Sequence, residues 1–149
     1  MWKLYDDAAC TIESSGILPI NSKTNLTDNP QDFVRWFANV DDDPLDGGSV
    51  QLQAQSNPGV DQVQIYINDI APGSAHSPSD ITLATSTGDL AVNTPGDPLD
   101  LGTTLISGVS NAIAVYARAI NTSTTVSSEN NLRFRIKATV TTPVVSSGS

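Results

Sequence analysis

Residues 50–68 read VQLQAQSNPGVDQVQIYIN, two alternating runs on either side of a turn. Val50, Leu52 and Ala54 alternate with Gln51, Gln53 and Gln55. Val63, Ile65 and Ile67 alternate with Gln62, Gln64, Tyr66 and Asn68. Successive side chains of a strand point to opposite faces, so a period of two means one buried face and one wet face. The intervening Ser56-Asn57-Pro58-Gly59 is turn chemistry, which predicts a hairpin or two adjacent strands.

Working outward, the same pattern recurs. In residues 131–141, Leu132, Phe134, Ile136, Ala138 and Val140 alternate with Arg133, Arg135, Lys137 and Thr139. The three cations predict a solvated face that also discourages edge-to-edge pairing. Residues 112–120, AIAVYARAI, are almost wholly apolar, as a central strand covered on both faces would be. Residues 81–85 and 103–106 are shorter runs of β-formers. Turn pairs such as Gly47-Gly48, Pro72-Gly73, Pro95-Gly96 and Ser107-Gly108 separate these runs. Short strands at such intervals predict one antiparallel all-β sandwich, immunoglobulin-like or jelly-roll-like. The tetrapeptide DPLD occurs at 43–46 and at 97–100, read as turn chemistry used twice.

Residues 28–40 admit two readings. Phe33, Trp36, Phe37 and Val40 lie at helical spacing behind a possible cap at Asp28 or Asn29. As a strand, the segment puts Val34, Trp36, Ala38 and Val40 on one face and Phe33, Arg35 and Phe37 on the other. The strand is favoured, because aromatic and β-branched residues dominate and every neighbouring run is β. The organisation expected is an N-terminal edge strand and extended arm over 1–30, a sandwich over 31–142 and a flexible tail over 143–149.

Composition narrows the function. The chain has 149 residues, one domain's worth, able to bury roughly two-thirds of its unfolded surface. Charged residues are 15% of it, against an average of about 25%. Sixteen acidic residues against seven basic ones give a net charge of −9, and the basic ones are scattered. That excludes a phosphate-binding surface, hence nucleic acid, and an anionic membrane face. The longest apolar stretch is far too short for a bilayer. No basic, then apolar, leader opens the sequence, so the expectation is a protein made in the cytoplasm and not secreted by a signal peptide. One cysteine, Cys10, leaves no intrachain disulfide.

Chemistry-bearing constellations are few. His76 is the only histidine, in the turn-rich PGSAHSPSD. A Ser-His-Asp set with Ser74, Ser77 or Asp80 would lack the scaffold that holds catalytic geometry, and no GxSxG elbow occurs. No enzyme and no cofactor is expected. Zinc needs three or four ligands, which one Cys and one His do not supply. Asp41, Asp43 and Asp46, with Asp42, form the densest carboxylate cluster. It reads first as a solvated acidic turn, with calcium as the rival, joined by Asp97 and Asp100 if the loops meet. Trp36 is expected in the core between sheets, and Tyr116 within its apolar strand. Trp2 and Tyr5 either pack on their own domain or anchor a partner.

The run AVYARAIN at 114–121, the Ser/Thr-rich residues after it, and LRFRIK at 132–137 resemble the last two strands of fibronectin-III or immunoglobulin-like sandwiches. With its Ser/Thr/Asn-rich strands and no cysteine pair, the chain also resembles the small virion proteins of tailed bacteriophages, many of them capsid decoration (cement) proteins. That resemblance implies a structural protein of the virion. It would bind the major capsid protein or other virion subunits, add avidity through many copies, and assemble as a homo-oligomer. The alternative is a glycan-binding or adhesive sandwich module, or a tail or baseplate component.

Overall fold

A computed structural model describes residues 2–18, 20–22, 31–41, 48–70, 77–119, 127–129 and 132–145. The fold is all-β and antiparallel. Twelve strands are described: β1 (Trp2–Tyr5), β2 (Ile20–Ser22), β3 (Gln31–Asn39), β4 (Gly48–Gln53), β5 (Val63–Asp69), β6 (Ile81–Ala84), β7 (Leu99–Gly102), β8 (Thr104–Ile106), β9 (Ile113–Ala119), β10 (Ser127–Glu129), β11 (Leu132–Lys137) and β12 (Thr139–Val145). One sheet runs β1-β3-β9-β6, two others β11-β5-β7 and β12-β4-β8, and β10 pairs with β2 in a small ribbon.

The stretch at 50–68 behaves differently from a hairpin. β4 and β5 do not pair with each other. β5 lies along β11, with Leu132 opposite Asp69 and Lys137 opposite Gln64. β4 lies along β12, with Thr139 opposite Gln53 and Val145 opposite Gly48. Residues 132–145 thus run antiparallel past both, so β4 and β5 continue one another along a single line. β8 and β7 do the same on the other flank. All three lines break at one level: at 54–62, at Thr103 and at Ala138. The turn residues at 56–59 therefore build an outward excursion, closed by Val60 N and Asp61 N donating to Asn57 O at 3.1 and 3.0 Å. A turn signal marks where backbone leaves the ladder. Whether the chain then returns beside itself or resumes the same line depends on which strands wait to pair with it.

The sheets share one core. Phe37, Ile81, Leu83, Val115, Ala117 and Ala119 come from the four-stranded sheet. Leu52, Val63, Ile65, Leu99, Leu105, Leu132 and Phe134 come from the two three-stranded ones. The alternation at 63–67 and 132–137 places these side chains inward and Gln64, Tyr66, Arg135 and Lys137 outward. Counting β4–β5, β7–β8 and β11–β12 as one line each, the four-stranded sheet has the A-B-E-D order of an immunoglobulin-type sheet, with β7–β8 inserted ahead of the strand in the E place.

Residues 28–40 resolve to a strand from Gln31. Trp36 is not between the sheets. It faces away from Phe37, opposite Tyr5 in the β1–β3 register, on the outer side of the four-stranded sheet. There it packs with Tyr5, Cys10 and Ala38 in a second apolar cluster. Tyr116 shares that side, half-buried, opposite Val34 and Ala84.

The N-terminal arm expected over 1–30 is, for residues 2–18, a strap on the chain's own domain. Asp6 N donates to Ile12 O, and Ser14 N to Leu4 O, both at 2.8 Å, so residues 12–14 lie along β1. Next, Phe134 N donates to Gly16 O at 2.8 Å and Leu18 N to Leu132 O at 3.0 Å, so residues 16–18 lie along β11. One segment thereby seals an edge in each of two sheets, and Leu18 is fully buried in the core. The turn is tied by Asp7, whose carboxylate accepts from Thr11 N and Ile12 N at 2.9 Å and from the Thr11 hydroxyl. Cys10 takes the left-handed conformation there, with φ 56°. At the other end, the tail expected from 143 is strand as far as Val145. Residues 23–30 and 146–149 lie outside the described residues.

The β6 edge is covered too. Gly96 N donates to Ile81 O at 2.8 Å, and Asn93 Nδ2 to Leu83 O at 2.9 Å. Gly96 has φ +91°, and a Cβ there would sit 3.3 Å from Ser79 Cα. Gly96→Ala is therefore expected to cost about 1–2 kcal/mol, read as a lower midpoint in denaturant. A midpoint unchanged from the parent chain would refute the role given to this turn.

Candidate binding surfaces

The sequence-derived candidates separate. Trp2 and Tyr5 pack on their own domain, so the reading of them as exposed partner anchors is corrected. Tyr5 is only 5% exposed, and burial pushes its phenol up from the ordinary value. Trp2 stacks on Phe37, ring centroids 5.4 Å apart and planes at 30°. Both rings are held by β1, whose alternate residues are covered by the core on one side and by the strap on the other. Asp41 is exposed, beside the end of β3. Asp43, Asp46 and His76 lie outside the described residues. Among the described residues no three His, Cys, Asp or Glu side chains stand together as a metal site. No described helix is long and apolar enough to cross a membrane.

Electrostatic pairs on the four-stranded sheet are structural. Arg118 on β9 donates from Nε and Nη2 to Asp32 of β3, at 2.8 and 3.0 Å, a directly opposed pair. This fork holds the Asp32 carboxyl below the usual carboxylate range. A depressed carboxylate stabilises the fold above its unfolded pKa, and the contribution disappears as pH falls through the folded value. Both side chains are partly exposed, so solvent screening keeps the pair's contribution small. Arg118→Gln should lower the thermal midpoint slightly near neutrality. The gap to the parent chain should close in acid below the usual carboxylate range. A gap that persists there would mean packing, not charge, was lost.

The outer side of β11-β5-β7 is arranged differently. Register places Lys137, Gln64 and Asp100 in one cross-strand row, and Gln64 Nε2 donates to Asp100 Oδ1 at 2.7 Å. Two residues along β5, on the same face, Tyr66 stands opposite Arg135, with Pro98 beside it at the start of β7. The excursion at 54–62 rises against the first row. Its Ser56 hydroxyl donates to Asp61 Oδ2 at 2.6 Å, and Gly102 N donates to Gln62 Oε1 at 2.8 Å. Together they bound a cleft of about 470 Å³ lined by Gln55, Ser56, Asp61, Gln62, Gln64, Asp100 and Lys137 with Ala54. Gln64 and Lys137 also line an adjoining, mainly apolar recess of about 340 Å³ against Tyr66 and Pro98.

The alternation of 62–68 foretold that these side chains face outward. It gave no sign that they form a cleft. β7, which supplies Asp100, begins inside the second DPLD, and the wall comes from an excursion that read as a hairpin turn. Comparison with protein-family models, with curated proteins and with solved structures yields no match.

Proposed function

We propose that this chain is a virion structural protein of the capsid-decoration kind, working by binding and not by catalysis. The observation that supports it is the treatment of strand edges. The chain's own segments cover β1, β6 and β11. Among the described residues, nothing covers the outer edges of β12 or of β7–β8. An uncovered edge carries unpaired backbone N–H and C=O groups and can accept a strand from a neighbouring protein. A rigid body with β1, β6 and β11 sealed by its own chain, and β12 and β7–β8 uncovered among the described residues, suits docking against shell subunits, the major capsid protein among them. The protein is made in the host cytoplasm and incorporated from there. Each contact can be weak, because many copies on one lattice add avidity, and occupancy of the assembled shell favours its closed state.

The test uses purified particles and the full chain. Mass spectrometry should find the chain in particles at a fixed, high copy number. Shells stripped of it should rebind it saturably in co-sedimentation and then break at a higher temperature. Absence from particles, or no rebinding, would overturn the proposal.

A further inference from the structure

We infer that the face of β11-β5-β7 is a binding site for a neutral oligosaccharide, laid across the three strands from the cleft at the 54–62 excursion to Tyr66. The inference is independent of the shell reading and would stand without it.

Sugar hydroxyls both donate and accept, so a site for them needs both kinds of group, spaced along a surface. The first row offers this. Lys137, which has no hydrogen-bond or ion-pair partner among the described residues, brings an ammonium with three donors. Asp100 brings a carboxylate whose Oδ1 already accepts from Gln64, which fixes both side chains before a ligand arrives. Asp61 is held likewise by Ser56, and Gln62 by the Gly102 amide, which leaves the Gln62 amide nitrogen to donate. Pre-arranged side chains lose little freedom on binding.

The second row supplies what hydroxyl recognition lacks. Tyr66 is 38% exposed on a sheet face. With Pro98 it lines the apolar recess adjoining the cleft. A pyranose ring has an apolar C–H face, and an aromatic ring carries a polar handle beside a broad apolar surface. The row spacing on one strand, two residues at about 3.4 Å each, is roughly 7 Å and comparable to one sugar unit. The face carries little net charge: Asp61 and Asp100 in the cleft stand against Lys137 there and Arg135 opposite Tyr66, which suits an uncharged ligand. Among the described residues no three carboxylates gather there to favour a metal ion instead.

The experiment is titration of the isotopically labelled full chain with cellohexaose, mannohexaose, maltohexaose and N-acetylchitohexaose, followed by NMR shift mapping. At least one should shift the amides of Gln64, Tyr66, Asp100 and Lys137 saturably, and the four arms report which sugar backbone is preferred. Tyr66→Ala should weaken that binding about tenfold. Because Tyr66 and Lys137 are exposed, Tyr66→Ala and Lys137→Met should melt with the parent chain, which separates lost binding from lost folding. No saturable shift with any of the four sugars would overturn the inference. So would shifts confined to another face, or binding indifferent to both substitutions.

Discussion

Phe37→Ala is expected to remove about 3–5 kcal/mol of folding stability, the largest loss of any single truncation considered. Phe37 is fully buried, and its ring is stacked on Trp2. Truncation leaves a cavity that Leu4, directly opposite on β1, is too short to fill. It also removes the surface that holds Trp2, so β1 loses its anchor on the core side. Domains of this size are stable by only about 5–15 kcal/mol, so the loss is a large fraction of that margin. Urea unfolding, followed by the fluorescence of the two tryptophans, measures it. A loss below about 1 kcal/mol would mean that the β1–β3 edge is not part of the cooperative core.

Leu18→Ala should cost about 2–5 kcal/mol, and its second effect is more informative than its first. Leu18 is the one fully buried apolar residue of the strap. Its own amide donates to Leu132 O, and the Gly16 carbonyl two residues earlier accepts from Phe134 N; these contacts seal β11. If Leu18 anchors the strap, the variant should release residues 16–18 locally. Phe134 N, which donates to Gly16 O, should then exchange its hydrogen by local opening, far faster than amides of β9, which exchange only at the global unfolding rate of the weakened fold. The exposed β11 edge should also favour self-association, visible as a concentration-dependent mass in solution. Parent-like protection at Phe134 would show that the strap is held from elsewhere.

The two predictions bear on sites of different legibility. Phe37 was readable as part of an apolar strand, although spacing alone left a helix open until the neighbouring β runs decided it. Leu18 sits in a stretch, GILPIN, with no periodicity to read. Its burial follows from where the strap crosses, which local pattern does not encode. Trp36 shows the same limit. Alternation separates it from Phe37 by face, but nothing local says which face meets the main core and which meets a strap. Both faces of β3 are covered, so a large aromatic is stable on either.

Local pattern specifies the strands and their two-faced character. Period-two alternation at 50–55, 63–68 and 132–140 names the inward residues, and Leu52, Val63, Ile65, Leu132 and Phe134 are indeed buried. The physical reason is that alternation is set by the pleat, a property of each strand alone. The tertiary structure decided which strands became neighbours. It ran β4 and β5 end to end, folded residues 2–18 into a strap, and set Lys137, Gln64 and Asp100 in one row beside Tyr66. Those outcomes depend on register between segments far apart in the chain, as where Phe134 N donates to Gly16 O. Such pairings are fixed by the shared core that the segments bury together, and no single stretch of chain contains that information.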